Sequence, residues 1–147
     1  MTETTSDTGE LTFVRTVTAP RELVFRCMLE PEHLTHFWGP VGVSTPVANI
    51  TIDPRPGGVF ETIMVNDADG SEYPSKGVFD EIVEPEKIVW TEPDVGMTTT
   101  SIFVDLGDGR TEVHIHQTNV PEAFRGGEAV EGFKSSLDRF EAYLATL

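Results

Sequence analysis

The C-terminal stretch, residues 121–147, constrains the fold more strongly than any other part of this chain. Its apolar residues recur at steps of three or four, the spacing that an amphipathic helix buries on one face: Val130, Phe133, Leu137, Phe140 and Leu144. Glycines at positions 126, 127 and 132 predict a loosened first turn, because glycine costs up to about 1 kcal/mol in a helix relative to alanine. The helix is predicted to open with Pro121 and Glu122 and to continue almost to the C-terminus, so its roughly 20 residues would be about 30 Å long. A helix this long and this one-sided needs a broad apolar surface to lie on, and the chain before it predicts a β-sheet.

Length and charge limit the classes of protein that the chain can belong to. We expect one domain over residues 11–147, after a flexible N-terminal tail at residues 1–10. The 25 acidic and 10 basic residues give a net charge of −15, which argues against binding to nucleic acid or to an anionic membrane. The single cysteine, Cys27, excludes an internal disulfide, and we interpret it as a small core residue. The sequence has no signal peptide and no long apolar run, so we expect a soluble cytoplasmic protein.

Proline and glycine positions divide residues 11–118 into strands and two short helices. Pro20 and Pro31 predict helix starts, and the two helices are expected to end near Glu30 and Phe37. Seven runs rich in β-branched and aromatic residues predict strands at residues 11–19, 41–52, 59–66, 72–83, 87–92, 98–106 and 110–118. Short turns between consecutive strands predict antiparallel pairing. The expected class is therefore α+β, with a curved sheet packed on one terminal helix.

Several short segments, taken together, resemble one known family. They are residues 19–25 (APRELVF), 31–34 (PEHL), 37–40 (FWGP), 53–58 (DPRPGG), 77–83 (GVFDEIV), 85–91 (PEKIVWT), 132–133 (GF) and 137–140 (LDRF). In order and spacing they resemble the activator-of-Hsp90-ATPase homologues, within the START/Bet v-like (SRPBCC) superfamily. The resemblance covers nearly the whole chain and implies the helix-grip fold, in which a long C-terminal helix lies across a curved seven-stranded antiparallel sheet. Phe37 and Phe133 stand where the family often has tryptophan, which affects the expected shape of a ligand site.

Proteins of this kind often keep a cavity between helix and sheet that holds an apolar molecule. A curved sheet cannot follow a straight helix along its whole length, so the gap must be filled by side chains or by a ligand. Period-two alternation and helical spacing assign the side chains that face this gap. The predicted lining is Phe37, Trp38, Phe60, Met64, Phe79, Trp90, Ile102, Val113, Ile115, Phe133 and Leu137, with Thr62, Ile88 and Val104 on the same faces. Ordinary core packing is the simpler explanation for any single member of this set.

Glu81 is the candidate polar residue of the cavity. It has the same strand parity as Phe79 and Val83, so an inward Phe79 predicts an inward Glu81 carboxylate. Burial would raise the pKa of that carboxyl group, which could then hold a ligand hydroxyl or act as a general acid or base. The alternative is a structural ion pair with Arg15 or Arg55, or an edge position in contact with water.

Glu92 is a second candidate of the same kind. It shares a strand face with Trp90, so the two side chains are expected on the same side of the sheet. Pro93 follows it directly and ends the strand, which weakens the case for an inward carboxylate.

The histidines do not form a recognisable metal motif. His114 and His116 alternate onto one strand face with Glu112, but this face lies opposite to Val113 and Ile115 and is expected to meet solvent. His33 and His36, three residues apart on the second short helix, are interpreted as surface or capping residues. We therefore expect no metal and no cofactor.

Three functions remain open from the sequence. The favoured one is binding of a small apolar or amphipathic ligand in the cavity. The second, implied by the family resemblance, is a co-chaperone-like module that stimulates an Hsp90-type ATPase. The third is an enzyme of the cyclase or dehydratase kind found elsewhere in the superfamily, with Glu81 or a histidine as acid or base. Outward apolar residues at Val59, Ile63 and Val65 leave both a monomer and a homodimer open.

Overall fold

One antiparallel sheet and a long C-terminal helix make up most of the structure. The computed structural model describes residues 3–5 and 9–147. Its elements, in chain order, are β1 (Glu3–Thr5), β2 (Leu11–Val17), α1 (Arg21–Cys27), α2 (Pro31–Leu34), β3 (Val43–Ser44), β4 (Ile50–Ile52), β5 (Val59–Asn66), β6 (Glu72–Val83), β7 (Lys87–Glu92), β8 (Met97–Gly107), β9 (Arg110–Thr118) and α3 (Gly127–Leu144). Short 3₁₀ turns occur at Val47–Asn49 and Glu122–Phe124. None of the helices described is long and apolar enough to cross a membrane.

Most neighbouring strands of the sheet are consecutive in the chain, and β9 returns to lie beside β2. The order is β1-β2-β9-β8-β7-β6-β5-β3, and β4 also pairs with β5. All pairings are antiparallel, and β2 pairs with β9 from Leu11 opposite Gln117 to Val17 opposite Thr111. The α+β class and the helix-grip architecture are thereby confirmed.

The sheet has nine strands within the described residues, where the sequence predicted seven. One extra strand arises because the predicted strand at residues 41–52 is divided into β3 and β4. Pro46 has no N–H to donate to a ladder, and a 3₁₀ turn follows it. Thr45 stabilises the break, since its buried hydroxyl donates to the backbone carbonyl of Trp38 (2.8 Å) and its own carbonyl accepts from the Thr35 hydroxyl (2.7 Å).

The other extra strand lies in the N-terminal segment predicted to be a flexible tail. Glu3–Thr5 pairs with β2, from Glu3 opposite Phe13 to Thr5 opposite Leu11. The edge of β2 would otherwise present unpaired backbone N–H and C=O groups, which a short strand can satisfy. Residues 1, 2 and 6–8 of the segment predicted to be a tail lie outside the described part, so flexibility of the tail stays a prediction.

The helix α3 starts later than the sequence predicted. It begins at Gly127, after a 3₁₀ turn and an extended Gly126. Its second half is firmly packed, because Leu137, Phe140 and Leu144 are buried and the Phe140 ring lies 4.5 Å from that of Phe37, just after α2. In its first half, Phe133 packs on Phe13 of β2 at 4.6 Å, and a cavity lies between the rest of that half and the sheet.

Candidate functional site

A cavity of about 600 Å³ lies between the concave face of the sheet and the first half of α3. This volume falls in the range of natural small-molecule sites, roughly 300–1,000 Å³. The sheet, the helix and the segment after α2 all contribute to its wall. The lining residues are Leu11, Trp38, Gly39, Pro40, Phe60, Thr62, Met64, Ser75, Trp90, Glu92, Met97, Thr99, Gln117, Ala123, Phe124, Glu128, Ala129, Gly132, Phe133 and Ser136.

Three aromatic rings form one wall of the cavity. The ring centroids of Trp38 and Phe60 are 5.2 Å apart, as are those of Phe60 and Trp90, and the two tryptophans are 6.3 Å apart. Phe60 also stacks on the fully buried Phe79 at 5.5 Å, which fixes its plane from behind. Gly77 lies beside Trp90, where a Cβ atom would come within 3.2 Å of the indole ring. These contacts place both tryptophans of the chain in the cavity wall.

The Glu92 carboxylate is the acidic group that faces this aromatic wall from within the sheet. It is half-buried at the end of β7, and it accepts a hydrogen bond from the Ser75 hydroxyl at 2.8 Å. Burial raises the pKa of the Glu92 carboxyl group, and the Ser75 hydrogen bond opposes that rise in part. Across the β7–β8 hairpin, Glu92 pairs with Met97, so the strand continues far enough to hold the carboxylate inward despite Pro93.

The charge of the cavity lining is entirely negative. Its two ionisable residues are Glu92 and Glu128, and among the described lining residues there is no lysine, arginine or histidine. Glu128 is exposed in the first turn of α3, whereas Glu92 is half-buried. The polar groups that remain are short or neutral: Thr62, Ser75, Thr99, Gln117 and Ser136.

One loop that lines the cavity is held against α3 by side-chain hydrogen bonds. We call residues 36–43 the mouth loop; it includes Trp38. Arg139 Nη1 lies within hydrogen-bonding distance of the carbonyl oxygens of Gly39 (2.8 Å), Val43 (3.1 Å) and Pro40 (3.2 Å). The neighbouring Ser136 hydroxyl donates to the Phe37 carbonyl at 2.8 Å. The helix therefore holds the backbone on both sides of Trp38.

Six of the side chains predicted to face the gap contribute to the cavity wall: Trp38, Phe60, Thr62, Met64, Trp90 and Phe133. Phe37, Ile115 and Leu137 lie one layer behind it, around a separate void of about 40 Å³. Phe79 and Val113 are fully buried core residues. The structure thus brings most of the set to one side of the sheet; binding of a ligand by these residues stays a prediction.

The inward assignment of Ile102 and Val104 is wrong. Both side chains are exposed on the outer face of β8, at 40% and 39%. The inner face of β8 instead carries Thr99, Ser101 and Phe103, all buried. The prediction failed because it assigned the apolar residues of this strand to the inner face. In the structure, the small hydroxyl residues Thr99 and Ser101 lie on the inner face, and Ile102 and Val104 lie on the outer face.

The inward assignment of Glu81 is also wrong, and a β-bulge is the reason. Phe79 lies opposite Trp90 but Glu81 lies opposite Val89, so β6 contains one extra residue at Asp80. The extra residue reverses the parity of the strand, which turns Glu81 outward and Ile82 toward the core. On the outer face, Glu81 pairs with Lys87 at 2.8 Å.

The arginines offered as partners of Glu81 have other contacts. Arg15 is buried on β2 and donates to Asp138 (2.7 Å) and Glu141 (3.0 Å) of α3. Arg55 pairs with Asp53 at 2.8 Å in an exposed turn. The ion pair of Glu81 is therefore formed with Lys87 rather than with Arg15 or Arg55.

The histidines and the cysteine lie outside the cavity lining. His114 contacts Glu112 at 2.6 Å on the outer sheet face, while His36 stacks on Tyr143 of α3 at 4.4 Å. Across the described ranges, no three metal-ligating side chains come together. Cys27 is fully buried, and burial raises the pKa of its thiol to about 11.

Sequence reasoning missed most of the polar and small residues of the lining. Ser75, Thr99 and Gln117 carry no hydrophobic signal, although their strand parity matches that of inward neighbours. Ala129 was missed because an alanine on a helix does not distinguish packing from lining. The parity of Met97 and Phe103, both buried, is the signal that would have assigned β8 correctly.

A curved antiparallel sheet that holds a long helix over an internal cavity defines the class of helix-grip proteins. The sequence matches the family described as "Activator of Hsp90 ATPase homolog 1-like protein" over residues 18–145. The chain belongs to this family, within the SRPBCC superfamily, as its sequence motifs indicated. No curated protein matches the sequence.

Solved structures with the same fold come from several bacteria. A protein from Chromobacterium violaceum is 28% identical with a TM-score of 0.83, covering 90% of this chain and 95% of its own. A protein from Nitrosomonas europaea is 24% identical with a TM-score of 0.81, covering 96% and 97%. The AHSA1 protein from Silicibacter pomeroyi is 21% identical with a TM-score of 0.78, covering 93% and 98%. The latter two identities support the fold alone.

Proposed function

We propose that this protein binds a small apolar or amphipathic ligand in the cavity between the sheet and α3. The observation that carries the proposal is the open volume of about 600 Å³ under the first half of the helix. Protein interiors normally pack as densely as organic crystals, so a space of this size is unusual in a core that has no ligand to hold. The aromatic wall and the few polar groups match the usual composition of small-molecule sites.

The lining supports binding more than it supports catalysis. The acid or base that the enzyme alternative assigned to Glu81 would have to act from the outer face of the sheet. The carboxylate that does face the cavity, Glu92, has one hydrogen-bonding neighbour, the Ser75 hydroxyl. A hydroxyl and a carboxylate at this distance suit recognition of a polar group on a ligand. The family description supplies the co-chaperone alternative, and no surface feature described above favours it over ligand binding.

The first test is native mass spectrometry of the freshly purified protein beside its denatured mass. We expect an extra mass of a few hundred daltons that is lost on denaturation, or, for protein purified empty, saturable binding of the neutral fluorescent probe N-phenyl-1-naphthylamine. A bare native mass together with no probe binding would contradict the proposal.

A matched pair of variants on α3 locates the binding. Ala129→Leu places three extra carbon atoms in the cavity lining, while Ala142→Leu places the same atoms on the exposed side of the same helix. The two substitutions have nearly equal helix propensity costs. We expect Ala129→Leu to weaken probe binding about tenfold and Ala142→Leu to leave it unchanged, since the lost volume can no longer be occupied. Equal affinities for the two variants would show that the probe binds elsewhere.

A further inference from the structure

We propose that the ligand carries a hydrogen-bond donor without negative charge, best matched by a protonated amine, which binds the Glu92 carboxylate, and that the cavity rejects anionic head groups. This inference rests on the proposed function, because it assigns the chemistry of the polar end of the ligand that the cavity would hold.

The Glu92 carboxylate has hydrogen-bonding capacity that the described side chains do not use. An ionised carboxylate accepts about four hydrogen bonds through its two oxygens. In the described part of the chain, the Ser75 hydroxyl is the side-chain donor that reaches it, at 2.8 Å. A half-buried carboxylate with one donor is incompletely compensated for its loss of water. A ligand donor placed beside it would supply the missing hydrogen bonds.

The charge around the site is negative. The ionisable residues of the lining are Glu92 and Glu128, with no basic residue among the lining residues described, and the whole chain carries a net charge of −15. A ligand carboxylate would therefore meet like charge at close range and no cation to neutralise it. A like charge in a poorly hydrated site is unfavourable, whereas a cation is attracted both locally and from a distance.

Aromatic rings line the cavity together with Glu92. Trp90 lies two residues before Glu92 and on the same face of β7, and Trp38 and Phe60 complete the aromatic wall. Cations bind favourably over the faces of such rings, and tryptophan is the strongest of them. The combination of one carboxylate and three aromatic rings suits an ammonium group attached to an apolar body better than it suits a hydroxyl.

The test compares three ligands that share one apolar chain and differ only at the head group: decylamine, 1-decanol and decanoate. Binding is followed by intrinsic fluorescence, because both tryptophans of the chain lie in the cavity wall. We expect the wild-type protein to bind decylamine most tightly, 1-decanol less tightly and decanoate most weakly. Decanoate binding as tightly as decylamine would overturn the inference.

Variants of three carboxylates assign the preference to one residue. Glu92→Gln keeps the shape and loses the charge, and we expect it to weaken decylamine binding about tenfold or more while 1-decanol changes little. Glu128→Gln, at an exposed position, should change decylamine affinity less than about threefold. Glu81→Gln, on the outer face, should have no effect. An unchanged decylamine affinity in Glu92→Gln, in a variant shown to be folded by circular dichroism, would also overturn the inference.

The outcomes distinguish a failure of the proposed function from a failure of the head-group assignment. If none of the three ligands and no neutral probe binds the wild-type protein, the proposed function fails, and the head-group assignment fails with it. If 1-decanol and the neutral probe bind but the head groups are not distinguished, the cavity is a ligand site and only the role of Glu92 is wrong.

Discussion

We expect Arg139 to be the residue that contributes most to holding the mouth loop against α3. The sequence places it on the polar side of the helical stripe, where a solvated surface residue is the ordinary expectation. In the structure its guanidinium group instead reaches the mouth loop, with three carbonyl oxygens within 3.2 Å of Nη1 and the His36 carbonyl oxygen 3.4 Å from Nη2. Replacement by alanine removes all of these contacts at once.

The size of the effect follows from the kind of hydrogen bond. A hydrogen bond that involves a charged group contributes about 1.5–3 kcal/mol. The three short contacts of Arg139 are not additive, because one nitrogen with two hydrogens shares them. The freed carbonyl groups can also be reached by water, since the arginine side chain is only partly buried. We therefore expect Arg139→Ala to lower the free energy of unfolding by about 2–3 kcal/mol.

The assay is urea unfolding followed by tryptophan fluorescence, with the midpoint and the slope fitted separately. A control is Arg55→Ala, which removes an exposed arginine paired with Asp53 and should cost less than about 1 kcal/mol. Arg139→Lys should fall between wild type and Arg139→Ala, because an ammonium group restores the charge but not the planar fork of donors. A loss within about 0.5 kcal/mol for Arg139→Ala, or an equal loss for Arg55→Ala, would refute the assignment.

Two further predictions concern the cavity wall. Burial raises the pKa of the Glu92 carboxyl group above its ordinary value of 4.5. The stability that comes from the protonated carboxyl group is therefore fully present below pH 4.5, and it is lost as the pH rises through the pKa of the folded state. Glu92→Gln should therefore unfold at a higher urea concentration than wild type at neutral pH, and the difference should disappear at about pH 4. A constant difference at all pH values would contradict the reasoning. Gly77→Ala should lower the free energy of unfolding by about 1–3 kcal/mol and alter the tryptophan emission, since the new Cβ would lie 3.2 Å from both the Trp90 ring and the Phe60 carbonyl oxygen. Unchanged stability and emission would show that Trp90 moves aside freely.

The sequence predicts those parts of this fold that depend on local chemistry. The hairpin turns at residues 67–70 and 107–109 and the helix starts after Pro20 and at Pro31 follow from the conformational preferences of proline, glycine and aspartate. The buried stripe of α3 follows from helical spacing, and Leu137, Phe140 and Leu144 are buried as predicted. The order of elements in turn defines the α+β class.

The parts that the sequence does not predict depend on contacts between distant segments. The strand from residue 72 to 83 reads as one continuous run, and nothing local marks the bulge at Asp80 that turns Glu81 outward. The face of β8 is set by the helix that covers it, so the apolar Ile102 points outward while Ser101 points inward. The role of Arg139 depends on a loop about 100 residues earlier in the chain.

The unfilled volume and the half-buried carboxylate both lower the stability of the free protein, and both are features that a bound ligand would use. Both layers carry short side chains at the cavity, with Thr62 and Thr99 on the sheet and Ala129 and Gly132 on the helix, so the missing van der Waals contacts weaken the free protein. The charge of Glu92 weakens it again at neutral pH, because burial disfavours the ionised form. A ligand that fills the space and donates to the carboxylate would remove both costs, and at one hundred times its dissociation constant it would add about 2.7 kcal/mol to the stability. Since stability and binding make opposite demands on these positions, substitutions that stabilise the free protein here are the ones that should weaken binding.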